Sequence, residues 1–362
     1  MIKFLHAADL HLDSPFRSLP PELAAQRRAE QRELLTELVD LCNQRGCDLL
    51  LLAGDLFDSA GIYADTLEAL SRAFRACRAQ IFIAPGNHDC CAAGSPYLTA
   101  RWPENVHIFT RPTPESVFLP ELDAEVWGAA FSAQTSPALL PGFHVSDPDA
   151  LSLMVLHGDA EMPGSPYNPV SADEIAASGL GYLALGHIHA ASGPRSAGKT
   201  VYAWPGCPMG RGFDELGGKG VYFGMLDRSG CRLEFCPLPG RRYEILTVEA
   251  GEDPLASIEA SLPADTNDDI YRIILTGEAG EPDVRALTAA LSGRFWSLTV
   301  RDKTTPRRDL WAGAGDNTLR GLTLRRLREA MDAAADEAQK ERCRLAARLC
   351  LAAMEGREVP EP

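Results

Sequence analysis

An α/β body, a small second α/β unit and a helical tail form the fold that this 362-residue sequence predicts. Strand-like and helix-like segments alternate early in the chain, which favours a sheet with helices packed on it. Consecutive strand-like segments follow toward residue 240, which adds a mixed or antiparallel portion. Five short segments rich in Asp, Asn and His lie at the ends of strand candidates, where open α/β sheets place their ligands.

In chain order, the early strand candidates are Ile2–Ala8, Asp48–Ala53, Gln80–Ala84, Glu125–Ala129, Leu151–Leu156 and Tyr182–Leu185, and the later ones are Thr200–Trp204, Gly220–Asp227 and Arg232–Pro237. Helices are predicted over Pro21–Arg45 and Ala64–Cys77, where apolar residues recur at helical spacing among good helix formers. A turn-rich stretch at Pro237–Arg242 closes this first part. Residues 243–302 then read strand, helix, strand, helix, strand: Tyr243–Val248, Pro254–Ser261, Ile270–Thr276, Pro282–Leu291 and Phe295–Val300. After a linker at Thr304–Pro306, Asn317–Ala334 and Ala335–Glu355 read as helices. The expected units are therefore 1–240, 241–305 and 306–362.

An apolar content of 45% with 23% charged residues is that of an ordinary globular chain. No apolar run approaches a membrane span. The chain opens on a strand-like Ile2–Leu5, which leaves no room for a signal peptide and makes a cytoplasmic protein the expectation. The ten cysteines are scattered without a Cys-x-x-Cys pair, so buried reduced thiols are expected rather than a disulfide framework. Cys90 and Cys91 adjoin one of the five segments and are expected near the site without being ligands. A net charge of −15 weighs against a nucleic-acid partner. The balance is uneven, however: residues 301–362 carry 13 Lys/Arg and 11 Asp/Glu, against 22 and 39 in residues 1–300. Divalent cations bound by some of those acids would reverse the local field.

The five segments are Asp9-Leu10-His11, Gly54-Asp55-Leu56-Phe57-Asp58, Gly86-Asn87-His88-Asp89, His157-Gly158-Asp159 and Gly186-His187-Ile188-His189. They hold five of the eight histidines. Asp, Asn and His without cysteine form a hard nitrogen and oxygen set that suits Mn²⁺, Fe²⁺ or Zn²⁺. Asp9 and His11 alternate around Leu10, as His187 and His189 do around Ile188, so each pair would point to one side of an extended segment. Gly54 before Asp55 permits a tight turn and close approach to more than one cation. Either His or Asp pair alone would be weak evidence; the recurrence at five strand ends is not accidental.

The order Asp-x-His, Gly-Asp, Gly-Asn-His-Asp, His, Gly-His-x-His resembles the signature of the calcineurin-like metallophosphoesterases. Ala7-Ala8-Asp9-Leu10-His11-Leu12-Asp13-Ser14-Pro15-Phe16 resembles more narrowly the SbcD-type DNA repair nucleases, and among them the YhaO-type exonucleases. Trp204-Pro205-Gly206-Cys207-Pro208 and Gly210-Arg211-Gly212-Phe213 are similar to the same subgroup. The likeness covers residues 1–240, and weakly 243–302 as a capping domain. It implies a four-layer α-β-β-α sandwich for the nuclease domain, with the helical tail as a partner-docking segment.

Carried over by position, the resemblance implies one metal held by Asp9, His11, Asp55 and His189 and a second held by Asp55, Asn87, His157 and His187, with Asp55 shared. It implies manganese as the preferred ion. Two such cations lower the pKa of a water between them and clamp the oxygens of an in-line displacement. His88 is implied to stand beside the scissile phosphate, to stabilise charge or protonate the leaving oxygen, with Asp58 orienting it. For Asp89, capping or bracing the loop competes with supporting the ligands. The same choice applies to Asp13 and Asp159. Arg17, Arg211 and Lys219 could steer phosphates, although a solvated loop charge is the default for each. His6, His107, His144 and Trp204 read as ordinary structural residues.

In the tail, Arg320, Arg325, Arg326 and Arg328 interleave with Leu319, Leu322, Leu324 and Leu327. An amphipathic helix packed on its own body and a docking element for a coiled-coil partner fit this pattern equally. The resemblance implies DNA and an SMC-like coiled-coil ATPase as partners, leaves room for a homodimer, and implies a 3′→5′ exonuclease or end-processing nuclease in DNA repair. Two rivals stand beside it. One is a phosphoesterase for a cyclic nucleotide or nucleotide diphosphate ester, compatible with the acidic body. The other is a DNA-end-binding scaffold subunit with weak activity.

Overall fold

The structure is a computed structural model and describes residues 1–356 except 60, 148, 161, 307 and 308. By Cα proximity the chain divides into two units; the first comprises residues 1–245, 265–272 and 294–297. Its elements begin with β1 (Ile2–Ala7), α1 (Pro21–Gln44), β2 (Leu49–Leu52), α2 (Ala64–Ala76), β3 (Gln80–Ile83), α3 (Pro96–Thr99) and β4 (Val106–Ile108). They continue with β5 (Glu115–Leu119), β6 (Ala124–Gly128), β7 (Leu151–His157), α4 (Ala172–Ser178), β8 (Tyr182–Gly186), β9 (Arg195–Ala197), β10 (Thr200–Ala203), β11 (Gly220–Asp227) and β12 (Gly230–Pro237).

Two six-stranded sheets result, ordered β12-β11-β1-β2-β3-β4 and β5-β6-β7-β8-β10-β9. Strands β1 to β4 run parallel in the first, and β6, β7, β8 and β10 run parallel in the second. The remaining strands add on antiparallel, which is the mixed character expected from the consecutive late strands.

Side-chain alternation along the central strands shows how the layers stack. Leu49 and Leu51 of β2 join Leu153 and Val155 of β7 and Tyr182 and Ala184 of β8 in one core between the sheets. Their neighbours Leu50 and Leu52 face Leu35 and Leu38 of α1 and Phe74 of α2. On the other sheet, Met154, Leu156, Leu183 and Leu185 pack with Ile175 of α4. Strands buried on both faces need continuous apolar runs rather than alternation, which is why Leu49–Leu52 is four leucines. The order is helix, sheet, sheet, helix, the four-layer sandwich expected from the sequence.

The second unit comprises residues 246–264, 273–293 and 298–362. Beyond β12 the chain forms β13 (Tyr243–Glu249), α5 (Pro254–Ser261), β14 (Ile270–Thr276), β15 (Glu278–Ala279), α6 (Val284–Leu291), β16 (Ser297–Asp302) and β17 (Thr305–Pro306). β13, β14 and β16 make a three-stranded sheet. The chain then forms α7 (Leu319–Asp332) and α8 (Glu337–Met354), which share a small apolar cluster of Leu324, Ala347 and Leu351 with Trp311 and Leu327 against it. No helix among the described residues is long and apolar enough to cross a membrane. All ten cysteines are free thiols, six of them buried and four half-buried.

Candidate metal centre

Strands β1, β2 and β3 of the first sheet and β7 and β8 of the second bring the five segments to one place. Four of the expected ligands have left-handed backbone: Asp9 at φ 54, His11 at φ 43, Asp55 at φ 49 and His187 at φ 95. Asp and His tolerate this region better than most residues, and its local cost is borne by the surrounding structure. Strand alternation is therefore not what aligns Asp9 with His11 or His187 with His189. β1 ends at Ala7 and β8 at Gly186, so both pairs lie in loops beyond the strands. His157, in contrast, is the last residue of β7 itself.

Backbone bonds hold the first loop instead. Asp9 N–H donates to Gly54 O at 3.0 Å and His11 N–H to Asp55 O at 2.9 Å. From α1, the buried Gln31 amide donates to Leu10 O at 3.3 Å and His11 O at 2.9 Å. Two glycines let the ligands close up. A Cβ on Gly54, whose φ is +85, would lie 2.3 Å from His157 Nδ1, and one on Gly86 would lie 2.2 Å from Asp55 Oδ1.

Ligand atoms of Asp9, His11 and His189 lie within 4.8 Å of one another, as do those of Asp9, Asp55 and His157, and of His11, Asp58 and His88. His11 Nε2 is 3.2 Å from His189 Nε2 and 3.7 Å from Asp55 Oδ2. His157 Nε2 is 3.4 Å from Asp55 Oδ2 and 2.9 Å from Asn87 Oδ1. His187 stands next to His157, ring centroids 5.2 Å apart, and donates its backbone N–H to the Asp9 carboxylate at 3.1 Å. All seven expected ligands thus converge.

The donor chemistry fits divalent cations. His157 Nδ1 is 3.0 Å from Ala53 O, and a carbonyl only accepts, so Nδ1 carries the proton and Nε2 the lone pair. That lone pair faces a carboxylate and an amide oxygen, an all-acceptor arrangement that a cation between them satisfies. Asp9 and Asp55 are each 1% exposed. Burial, reinforced by the charge of Asp55, pushes the Asp9 carboxyl well above its ordinary range, so without a cation this site seeks a proton. Burial also lowers His11 to about 4; at His187 burial and then the neighbouring His157 do the same, to about 4. Both rings are neutral at pH 7, as ligation requires.

His88 lies at the exposed rim, its ring 4.8 Å from that of His11. Its backbone N–H donates to Asp55 Oδ1 at 2.9 Å, and its Nδ1 meets the main-chain carbonyl of Asp58 at 3.1 Å. Asp58, expected to orient His88, is next to it, but the contact is through the backbone. The Asp58 carboxylate instead accepts from Ser14 Oγ at 2.9 Å and Arg211 Nη1 at 3.1 Å, and lies 3.4 Å from His11 Nδ1. Burial opposes ionisation of Asp58, but these partners outweigh it and hold its carboxyl at about 2.

Asp89 braces the site. It accepts from Gly86 N–H at 2.8 Å, Phe57 N–H at 3.1 Å and the Tyr97 hydroxyl. Burial and then the charge of Asp55 raise its carboxyl to about 6. Asp13 accepts from Tyr63 N–H and Thr66 Oγ1 at the start of α2, tying the loop after β1 to that helix. Asp159 uses its backbone N–H on Tyr167 O at 2.9 Å. Arg17 is exposed on the loop before α1, and Lys219 lines a different cleft with Pro208, Met209 and Arg242. Arg211 reaches the centre, where it is bound to Asp58 and Glu215. Glu215 and Asn168 carry no signal in the sequence that singles them out. Glu215 meets His189 Nδ1 at 2.7 Å, and Asn168 donates to His157 O at 2.8 Å. Beside His88 opens a cleft of about 460 Å³ lined by Asp58, Asn87, Cys90, Gln134 and Tyr167, a volume that admits a ligand-sized group. Cys90 is thus near the site, and no cysteine belongs to the candidate ligand groups among the described residues.

Sheet order, strand-end loops and converging acceptors define a candidate divalent-metal centre between two sheets. The sequence matches the calcineurin-like phosphoesterases over residues 2–190, and the chain belongs to that family. It is 32% identical over 266 residues to the uncharacterized metallophosphoesterase YhaO of Bacillus subtilis (strain 168), covering 70% of this chain and 63% of that protein. It is 26% identical over 264 residues to the D subunit of the nuclease SbcCD from the same bacterium, covering 60% of this chain and 64% of that relative. The chain therefore spans less than two thirds of the length of either relative. A crystal structure of a Thermus thermophilus protein, TT1561, aligns at TM-score 0.39 and 15% identity, covering 65% of this chain and 98% of that one.

Proposed function

We propose that this phosphoesterase is a two-metal phosphodiesterase that hydrolyses DNA, as a 3′→5′ exonuclease or end-processing nuclease in repair, with an SMC-like ATPase as partner. The observation that carries the chemistry is the convergence of the acceptors of Asp9, His11, Asp55, Asn87, His157 and His189, with His187 adjoining and His88 left over at the rim of the cleft. Asp9, His11, Asp55 and His189 would hold one ion; Asp55, Asn87, His157 and His187 would hold the other, with Mn²⁺ the ion we propose. When bound, two divalent ions supply charge stabilisation for phosphoryl oxygens and a nucleophilic water at neutral pH.

His88 would act on the substrate side. With Nδ1–H on the Asp58 carbonyl, Nε2 is the ring nitrogen left for the substrate, and as the imidazolium His88 would pass its Nε2 proton to the leaving oxygen and keep Nδ1–H. Asp58 itself holds the rim together through Ser14 and Arg211. The likeness to the D subunit of the nuclease SbcCD supports DNA as the substrate. On this reading residues 1–240 are the nuclease body, 241–305 a capping domain and 306–362 the docking segment. The exposure of Leu319 (76%) and Leu322 (52%) on α7 supports that last role.

The test is digestion of single- and double-stranded DNA, labelled at either end, with Mn²⁺, beside a cyclic nucleotide and bis(p-nitrophenyl) phosphate. Progressive loss from the 3′ end is expected. Cleavage of the small esters with intact DNA would replace the nuclease reading with a small-substrate phosphoesterase.

A further inference from the structure

We propose that Glu215 is a positioning residue that fixes the tautomer of His189, so that His189 Nε2 presents its lone pair to a divalent cation beside Asp9 and His11. The inference rests on the metal-centre reading above and names a residue in the loop after β10 that sets one ligand.

His189 Nδ1 lies 2.7 Å from Glu215 Oε1. An ionised carboxylate has no proton to give, so this contact is a hydrogen bond only when Nδ1 donates. Arg211 Nη2 is 3.1 Å from the same nitrogen, and a guanidinium also only donates, which would favour the opposite tautomer. Glu215 wins the competition on geometry. Arg211 Nη2 carries two protons, and its approach to the ring at 3.1 Å is longer than both its own bond to Glu215 Oε1 and the Glu215–ring contact, each 2.7 Å. A bare Nδ1 would also set a nitrogen lone pair against the carboxylate at 2.7 Å.

The carboxylate is held where it must be. Its Oε2 accepts from Arg211 N–H at 2.7 Å and Arg211 Nε at 3.3 Å, and its side chain is 4% exposed. The loop carrying it is tied down by the buried Arg27, which donates to Gly210 O at 2.9 Å. With Nδ1 protonated, Nε2 is the bare nitrogen, 3.8 Å from Asp9 Oδ1 and 3.2 Å from His11 Nε2. A carboxylate behind a ligating imidazole orients the ring and raises its basicity, and its loss commonly costs about 10- to 100-fold in metal affinity.

The test begins with the metal-free, full-length protein labelled with ¹⁵N-histidine. Long-range ¹⁵N–¹H correlation should show His189 protonated at Nδ1; a proton on Nε2 would overturn the proposal without any variant. In Glu215→Ala, which removes the acceptor and leaves Arg211 Nη2 facing the ring, that signature should be lost, and Mn²⁺ affinity by titration calorimetry should fall about 10- to 100-fold. In a His189→Ala background the same Glu215→Ala change should leave Mn²⁺ affinity unaltered. An equal loss in both backgrounds would mean that Glu215 only holds the Arg211 loop, and the proposal would be wrong. Because the tautomer is read without substrate, failure to digest DNA leaves this result standing or falling by itself.

Discussion

At the scale of single residues, the histidines of the centre differ in what lies behind their rings. His157 has a backbone carbonyl and His189 a carboxylate, while His88 has a carbonyl and an open cleft before it. His88→Asn should therefore lower phosphodiester hydrolysis by about 10²- to 10⁴-fold, the usual worth of a positioned proton donor. Elemental analysis of that variant should still find both ions; their loss would move His88 into the ligand set. His6 offers a separate test. It is fully buried, meets Tyr182 Oη at 2.7 Å, and burial lowers its pKa to about 3. The unfolded chain takes up this proton below about pH 6.5 and the folded one does not, so stability is full above about pH 6.5 and falls as pH drops toward about 3. Between about pH 7 and about pH 4 this group should remove about 3 kcal/mol. Urea midpoints should show the gap between the protein and His6→Gln narrowing across that range; a constant gap would rule His6 out as the cause. The candidate ligands stood out in sequence because histidine is scarce and Asp, Asn and His recur together at five strand ends. Glu215 was not, since one glutamate in a chain with 50 acidic residues carries no mark until the fold sets it against His189. Nor could sequence show that Asp58 would reach His88 by its carbonyl.

At the scale of elements, legibility followed burial. The apolar runs of β2, β7 and β8, buried on both faces, stand out by composition alone. β4 and β9 have three residues each and β5 alternates half-buried with exposed positions, so none carries enough apolar signal. α3 and α4, at four and seven residues, are too short for a helical period to repeat convincingly. The link from α1 to the Asp9–His11 loop was also hidden, because Gln31 reads as a polar position on an amphipathic helix yet is 1% exposed. Its amide satisfies two loop carbonyls at once. Gln31→Met keeps the volume and strands those carbonyls, which should cost about 1–3 kcal/mol of stability. Because His11 O is one of them, Mn²⁺ affinity should fall as well. A change in the urea midpoint with unaltered metal affinity would show that α1 supports the fold but not the ligand loop.

At the scale of the whole molecule, the candidate centre draws every side chain from the first unit, while α7 and α8 belong to the second. Within that helix pair, α7 buries only Gly321 and Leu324, and α8 buries Ala347, Leu351 and Ala352. Arg320 pairs with Glu355 at 3.3 Å and Arg325 donates to Ala314 O at 3.1 Å, so part of the arginine row is used within the tail. Arg326 and Arg328 remain exposed, as do Leu319 and Leu322. A mixed basic and apolar surface of this kind suits a helix-in-groove or coiled-coil contact better than bare solvent. Deleting residues 306–362 removes none of Asp9, His11, Asp55, Asn87, His88, His157, His187 and His189. The truncated protein should hydrolyse bis(p-nitrophenyl) phosphate with Mn²⁺ at the rate of the full chain, and should lose co-purification with a coiled-coil ATPase that the full chain retains. If it were inert on the simple ester while its circular dichroism and metal content matched the parent body, the tail would belong to the catalytic machinery, and the docking role would have to be given up.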